Sequence, residues 1–325
     1  MEIFLTGAFG NVGIFTLKQL LKKNYEITCF DIKSNQNEKK WKKLSKKFHF
    51  KVVWGDITDE ESVSKAIDSV DCIIHVAAII PPTSERLPEL ARKVNVEGTR
   101  NIINATKKLQ IKPKIIFVSS VSVHGPRMHL EPPVKANDPL NPSNIYNTTK
   151  VEAEKLIQEN GLPWTIVRLG GVLPLSNDLT SLTEMFETPY EQRMEFIHVE
   201  DVATALSNCV EADVNKKILL IGGGKDFQYI SGAFYEKMFS IFGIKDLPKS
   251  AFKTARSPKE HPEDWFFVDW MDTKEAQKLL NFQNHTMEDY LNDLKEYVGG
   301  LRHLAKLFGP IVTKILLKKS PYYKN

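Results

Sequence analysis

Glu2-Ile3-Phe4-Leu5-Thr6 runs directly into Gly7-Ala8-Phe9-Gly10-Asn11-Val12-Gly13. The first five residues read as a short buried strand, and the spacing from Asn11 to about Leu21 predicts an amphipathic helix. Gly7, Gly10 and Gly13 therefore occupy the turn between a strand and a helix. That turn needs backbone freedom, and side chains in it would block a group that must come close. The helix start behind it offers free N–H groups and the positive end of a dipole, which suits a pyrophosphate.

Downstream, apolar runs alternate with helical segments. Tyr25–Phe30 ends at Asp31, and a Lys-rich polar stretch from Lys33 to Lys51 reads as a loop. Phe50–Trp54 ends in Gly55-Asp56. A helix around Glu60–Ser69 leads to the strand Cys72–Val76. A helix over roughly Ala91–Leu109 leads to Ile115–Ser119, and a long helix over Ile145–Asn160 leads to Trp164–Arg168. This order predicts an α/β fold: a Rossmann-type doubly wound parallel sheet with helices on both faces. Residues 1–170 form its bulk, and residues 194–224 return to it. Residues 171–193 and 225–300 form a smaller, mostly C-terminal substrate lobe. Residues 301–325 form a basic amphipathic tail.

The chain has 325 residues, 26% of them charged, and a formal net charge of +4. Such a composition belongs to an ordinary globular protein, and the charge is too small to indicate a nucleic-acid partner. No run of 18 apolar residues predicts a spanning helix, and the N-terminus lacks the pattern of a signal peptide. Cys29, Cys72 and Cys209 are far apart and odd in number, so they read as buried free thiols in a reducing, cytoplasmic setting. No metal site is expected.

Asp31 ends the second strand, 18 residues after Gly13. A carboxylate there can accept hydrogen bonds from both adenosine ribose hydroxyls and repels a 2′-phosphate. The expected cofactor is NAD(H), while Lys33 and the lysines beyond it leave NADP(H) open. Asp56 is placed to cap a loop near the adenine. Tyr146 and Lys150, in Tyr-Asn-Thr-Thr-Lys, lie four residues apart on one helix face. An ammonium beside a phenol lowers the phenol's pKa from about 10, which makes Tyr146 an acid or base candidate. Ser120, at the end of the preceding strand, could hydrogen-bond the substrate oxygen that Tyr146 serves. Ser119 and Ser122 could cap the turn.

These pieces together resemble the extended short-chain dehydrogenases/reductases of the NAD-dependent epimerase/dehydratase kind. The likeness is carried by Thr6–Gly13, Asp31, Gly55-Asp56, His75–Ala78, Asn95–Thr99, Ser119–Gly125, Tyr146–Lys150, Arg168 and Phe196–Ala203, in family order over residues 1–205. The resemblance implies a catalytic set of Ser120, Tyr146 and Lys150. It implies cofactor contacts from Gly7, Phe9, Gly10, Asn11, Val12, Gly13, Asp31, Asp56, Ile57, Ala77, Ala78 and Lys150. His75, Asn95, Thr99 and His198 then read as supporting residues. A homodimer is expected, with the Tyr146 helix a candidate for its interface.

The substrate is less legible. Nucleotide-sugar 4,6-dehydratases carry an acidic pair after the active-site hydroxyl residue, where this chain has Val121-Ser122. Gly171 stands where many nucleotide-sugar enzymes have Asn. Gln192–His198, by contrast, resembles the matching segment of those enzymes. The first reading is a nucleotide-sugar 4-epimerase. The second is a one-way alcohol dehydrogenase or ketone reductase of hydroxysteroid-dehydrogenase type, and the third a non-catalytic dinucleotide-binding regulator. Ser122, Arg193 and Arg256 are the named substrate contacts, with Glu184, Tyr190, His261 and Trp265 as further candidates.

Residues 301–325 carry six Lys and Arg and no Asp or Glu. Without them the chain has 38 basic against 40 acidic groups. Apolar residues recur at helical spacing across Leu301–Lys319, interrupted by Gly309-Pro310. The tail is read as docking on its own protein or a second subunit, with weak contact to an anionic membrane surface through 301–319 as the alternative.

Overall fold

The computed structural model describes residues 1–175, 185–244, 247–300, 306 and 308–324. The N-terminal run gives β1 (Glu2–Thr6), α1 (Asn11–Lys22), β2 (Glu26–Asp31), α2 (Asn35–Leu44), β3 (Lys51–Trp54), α3 (Glu60–Ala66) and β4 (Cys72–His75). Two short helices follow, α4 (Thr83–Arg86) and α5 (Pro88–Arg92). A π-helical turn (Lys93–Glu97) joins α5 to α6 (Gly98–Lys108). Then come β5 (Lys114–Ser120), α7 (Ile145–Glu159), β6 (Trp164–Leu169), β7 (Gly171–Leu173), β8 (Arg193–His198), α8 (Val199–Cys209) and β9 (Lys217–Ile221). The C-terminal part adds β10 (Gln228–Ile230), α9 (Ser231–Ser240), α10 (Lys274–Leu280), α11 (Met287–Val298) and α12 (Gly309–Lys319).

Seven parallel strands form one sheet in the order β3-β2-β1-β4-β5-β6-β9. The order reverses between β1 and β4, which opens a crevice at the strands' C-terminal ends. This is the doubly wound Rossmann arrangement. Every residue of β6 is buried, as a strand covered on both faces must be. One apolar layer packs Leu17 and Leu20 of α1 and Leu206 of α8 against Ile3, Leu5 and Val167. The opposite layer packs Ile102, Ala153 and Ile157 against Phe4, Ile73 and Ile115. Each of the Leu, Ile, Val and Phe side chains contributes about 1.5–3 kcal/mol by leaving water. Cys29, Cys72 and Cys209 are buried free thiols in this core.

Three local features differ from the sequence reading. The Lys-rich stretch contains a helix, α2. Ser34 caps it by accepting the Asn37 N–H at 3.1 Å, and Trp41 and Leu44 turn to the core. The helix expected from Ala91 starts at Pro88 and contains the π-helical turn. Finally, β8 does not return to the main sheet; it lies between β7 and β10 in a three-stranded sheet, and the chain rejoins the main sheet at β9. Buried Glu195 of β8 joins this small sheet to its surroundings. It accepts N–H groups of Met271 at 2.8 Å and Gly224 at 3.0 Å, and the Gln228 side-chain amide at 2.9 Å.

Candidate active site

A cavity of about 620 Å³ occupies the crevice at the β1–β4 switch. Gly7, Phe9, Gly10, Asn11, Val12, Asp31, Asp56, Ile57, Ala77 and Ala78 line it. Ser120, Ser122, Tyr146 and Lys150 line it as well. The three glycines of the loop have separate tasks. Gly7 has φ +64°, and a Cβ there would lie 2.8 Å from the Ala77 backbone. At Gly13 a Cβ would lie 2.0 Å from the Gly7 carbonyl oxygen, so Gly13 lets the helix seat on the loop and does not itself face the cavity. Gly10 does face it and caps α1 without a side-chain hydrogen bond, which leaves the first-turn N–H groups open.

Three hydrogen bonds hold Asp31 in place. Its carboxylate accepts N–H groups of Phe9 and Ile32, each at 2.8 Å, and the Asn37 amide at 3.2 Å. Burial pushes its pKa up, opposed by those N–H groups and by Lys40. Asp56 accepts the Thr58 N–H at 2.8 Å and so caps its own loop. Gln36, Asn37 and Lys40 of α2 also line this end of the cavity; the sequence reading missed them with the helix. The open first turn, the close glycine turn and a carboxylate beyond them fit a bound dinucleotide, and Ser119 Oγ, buried and without a partner among the described residues, lies in the same lining.

A second group of residues fixes the backbone between β4 and α7. Thr6 Oγ1 accepts the Val76 and Ala77 N–H groups, each at 3.2 Å, and donates to His75 Nδ1 at 2.8 Å. Thr99 spends its hydroxyl proton on the Asn95 carbonyl at 2.7 Å, so His75 Nε2 must donate to Thr99 at 3.0 Å. Burial, reinforced by Lys150, lowers the His75 pKa to about 3, so the ring is neutral and structural. Asn95, in the π-helical turn, binds both polar groups of the Ile79 backbone, at 2.8 and 3.0 Å, and donates to Thr149 at 3.0 Å. It thereby ties the Ala77–Ile79 loop to α7. His198 caps α8 by accepting the Glu200 N–H at 3.2 Å.

Helix α7 presents Tyr146, Lys150 and Glu154 on one face. Glu85 accepts the Ile145 and Tyr146 N–H groups at 3.2 and 3.1 Å, a negative charge at the positive helix end. Lys150 is buried and donates to the Val118 carbonyl at 2.8 Å. Burial lowers its pKa to about 8, while Glu154 acts to raise it. Glu154 in turn holds Arg168 through two bonds, at 3.0 and 2.6 Å. Arg168 also donates to His124 Nε2 at 3.1 Å. Burial first, then Arg168, lowers the His124 pKa to about 4.

The expected lowering of the Tyr146 pKa is not found. Burial pushes it up to about 12, and the hydrogen bond with Ser120 acts downward. Desolvation outweighs the nearby cation because the Lys150 ammonium is directed at Val118, 6.0 Å from the Tyr146 ring centroid. Ser120 also accepts the Ser122 hydroxyl at 2.8 Å, so Ser122 sits beside the candidate catalytic residues.

Arg193 and Arg256 stand apart from the cavity. Arg193 is paired with Asp269 at 2.7 and 2.8 Å and donates to the Leu130 carbonyl at 2.9 Å. Arg256 is paired with Asp264 at 2.7 and 3.0 Å and lines a separate surface pocket with Lys249, Lys253 and Trp265. Tyr190 donates to Glu236 at 2.8 Å, and His261 lies 3.1 Å from Glu263. Glu184 lies outside the described residues. Ile79, Ile80, Pro81, Val172, Phe267 and Val268 supply the wall that sequence reasoning left open.

A sequence model of the 3-beta hydroxysteroid dehydrogenase/isomerase family matches residues 4–164, which span the glycine loop, Asp31, Ser120, Tyr146 and Lys150. The chain belongs to the extended short-chain dehydrogenases/reductases. Among curated members, it is 26% identical over 172 residues to D-erythronate dehydrogenase of Cupriavidus necator, covering 49% of this chain and 50% of that protein. It is 29% identical over 246 residues to a putative UDP-glucose 4-epimerase of Methanocaldococcus jannaschii, covering 69% of this chain and 77% of that protein. Its fold matches that of UDP-glucuronic acid 4-epimerase of Bacillus cereus, solved with UDP-glucuronic acid and NAD. The TM-score is 0.74 at 20% identity, over 93% of this chain and 100% of that one.

Proposed function

We propose that this short-chain dehydrogenase/reductase is an NAD(H)-dependent oxidoreductase acting at a secondary alcohol or ketone. The observation that carries the reading is the convergence of Ser120, Tyr146 and Lys150 on the same cavity as the glycine loop and Asp31. NAD(H), when bound, supplies or accepts the hydride. Gly10 and the first turn of α1 would hold its pyrophosphate, Asp31 its adenosine ribose, and Lys150 its nicotinamide ribose.

The chain's own residues handle the proton. In the reducing direction Tyr146, protonated at neutral pH, donates its phenolic proton to the substrate oxygen, which Ser120 holds by a hydrogen bond. Negative charge develops on the Tyr146 oxygen as the proton leaves, and the Lys150 ammonium stabilises it. In the oxidising direction Tyr146 first gives its proton to solvent, and the phenolate, held by the Lys150 ammonium, then takes the proton of the substrate hydroxyl as hydride leaves for NAD.

The substrate end favours an apolar alcohol or ketone. Its wall is Ile79, Ile80, Pro81, Val172, Phe267 and Val268, and both named arginines are engaged elsewhere. A second reading, a nucleotide-sugar 4-epimerase, is supported by the Methanocaldococcus jannaschii relative, which is aligned over most of its length. Nicotinamide absorbance separates the two. Incubation with NAD and candidate secondary alcohols should accumulate reduced nicotinamide. Interconversion of UDP-sugar epimers without net reduction would replace the first reading with the second. Failure of every alcohol, ketone and sugar epimer to react would overturn the catalytic reading.

A further inference from the structure

We propose that α12 is an interfacial anchor that seats this protein on anionic phospholipid membranes. One side of the helix is fixed to the protein. Leu316 is buried, and Val312 and Leu317 pack with it against a cluster containing Phe186 and Phe252. Ser320, just beyond the helix, donates to the Ala251 carbonyl at 2.5 Å. α12 thus docks on its own chain, one of the two dockings the sequence reading preferred for the tail.

The other side is left bare. Phe308, Ile311 and Ile315 are 54%, 56% and 53% exposed. At 3.6 residues per turn they fall within an arc of roughly 60°, so they form one stripe. On the same helical projection, exposed Lys314 and Lys318 flank the stripe on one side and exposed Lys319 on the other. Apolar side chains between lysines whose long stems can reach past them match an interface between hydrocarbon and charged headgroups.

Charge selects the occupant. Residues 301–325 carry six Lys and Arg and no Asp or Glu. A second copy seated here about a two-fold axis would set this charge against itself with no acid to pair. An anionic lipid surface neutralises it. The helix has 11 residues, about 16 Å of length, against the roughly 30 Å of a bilayer core. It lies along the surface and does not cross; no helix among the described residues is long and apolar enough to do so.

The test is flotation of the full chain with phosphatidylcholine vesicles, with and without phosphatidylserine, at low and physiological salt. The wild type should bind the phosphatidylserine vesicles at least tenfold better, and salt should weaken that binding. Ile311→Ser with Ile315→Ser should lose binding to both kinds. Lys314→Gln with Lys318→Gln should lose only the preference for phosphatidylserine. Unchanged melting temperatures show that the variants remain folded, since all four residues face outward. Wild-type protein that fails to float with phosphatidylserine vesicles overturns the proposal. So does a dimer that Ile311→Ser with Ile315→Ser converts to monomer, because the stripe is then a subunit interface. A lysine variant that keeps the wild-type preference for phosphatidylserine vesicles also overturns it.

Discussion

In the proposed mechanism Tyr146 and Lys150 divide the proton chemistry by their environments. Burial holds Tyr146 up to about 12 and Lys150 down to about 8, so at neutral pH both are protonated. Reduction needs that state: a phenol to give its proton and an ammonium to receive the resulting charge. The ammonium is fully present well below pH 8 and is lost as pH rises through about 8. The rate of ketone reduction should therefore fall along a limb near that pH. Lys150→Arg, whose guanidinium stays charged, should move the limb upward in any activity it retains. A limb that stays in place in the variant would assign it to another group. In the same proposal Asp31 sets cofactor choice. Asp31→Ser removes the charge that repels a 2′-phosphate and leaves Lys40 in the lining. Preference should shift from NAD(H) toward NADP(H) by roughly ten- to a hundredfold, the value of a hydrogen bond or two to a charged group. The ratio of kcat/KM for the two cofactors measures it.

Helix α7 links chemistry to stability, because Tyr146, Lys150 and Glu154 share one face and Glu154 holds Arg168. Both members of that pair are 2% exposed. Glu154→Ala leaves a buried guanidinium with only His124 and the Ala136 carbonyl, and should cost about 3–5 kcal/mol in urea unfolding. A loss under about 1 kcal/mol would show that Arg168 finds other partners. The same change should lower the Lys150 pKa further, since Glu154 acts to raise it. Elements that carry their own signal were legible in the sequence. The strands were, because apolar runs stop at Asp31, Asp56 and Ser120. So was the Tyr146 helix, whose Asn144 cap accepts the Asn147 N–H at 2.8 Å. Helix α2 was hidden because eight polar residues surround the two, Trp41 and Leu44, that reach the core. The π-helical turn was hidden because no residue type marks it; it is visible only in what Asn95 touches.

At the scale of the whole molecule, the Rossmann sheet supplies a cofactor cleft, and chain from far downstream closes its substrate end. Phe267 and Val268 reach the cavity from more than 100 residues beyond Tyr146. That distance is why the sequence grouped Ser120, Tyr146 and Lys150 as candidates and left the stretch around Phe267 and Val268 open between core packing and substrate wall. Arg193 has the same cause: it looks free in sequence, and its partner Asp269 lies 76 residues away. The net charge also resolves spatially. Its positive excess lies in Lys33–Lys51, around α2, and in the tail around α12, on a body that is otherwise mildly acidic. The central claim, that Tyr146 transfers the proton in a hydride-transfer reaction, is tested most directly by Tyr146→Phe. Turnover should fall by about 10²- to 10⁴-fold, and the dissociation constant for NAD should stay within a factor of about two. A variant that turns over at the wild-type rate would contradict the account.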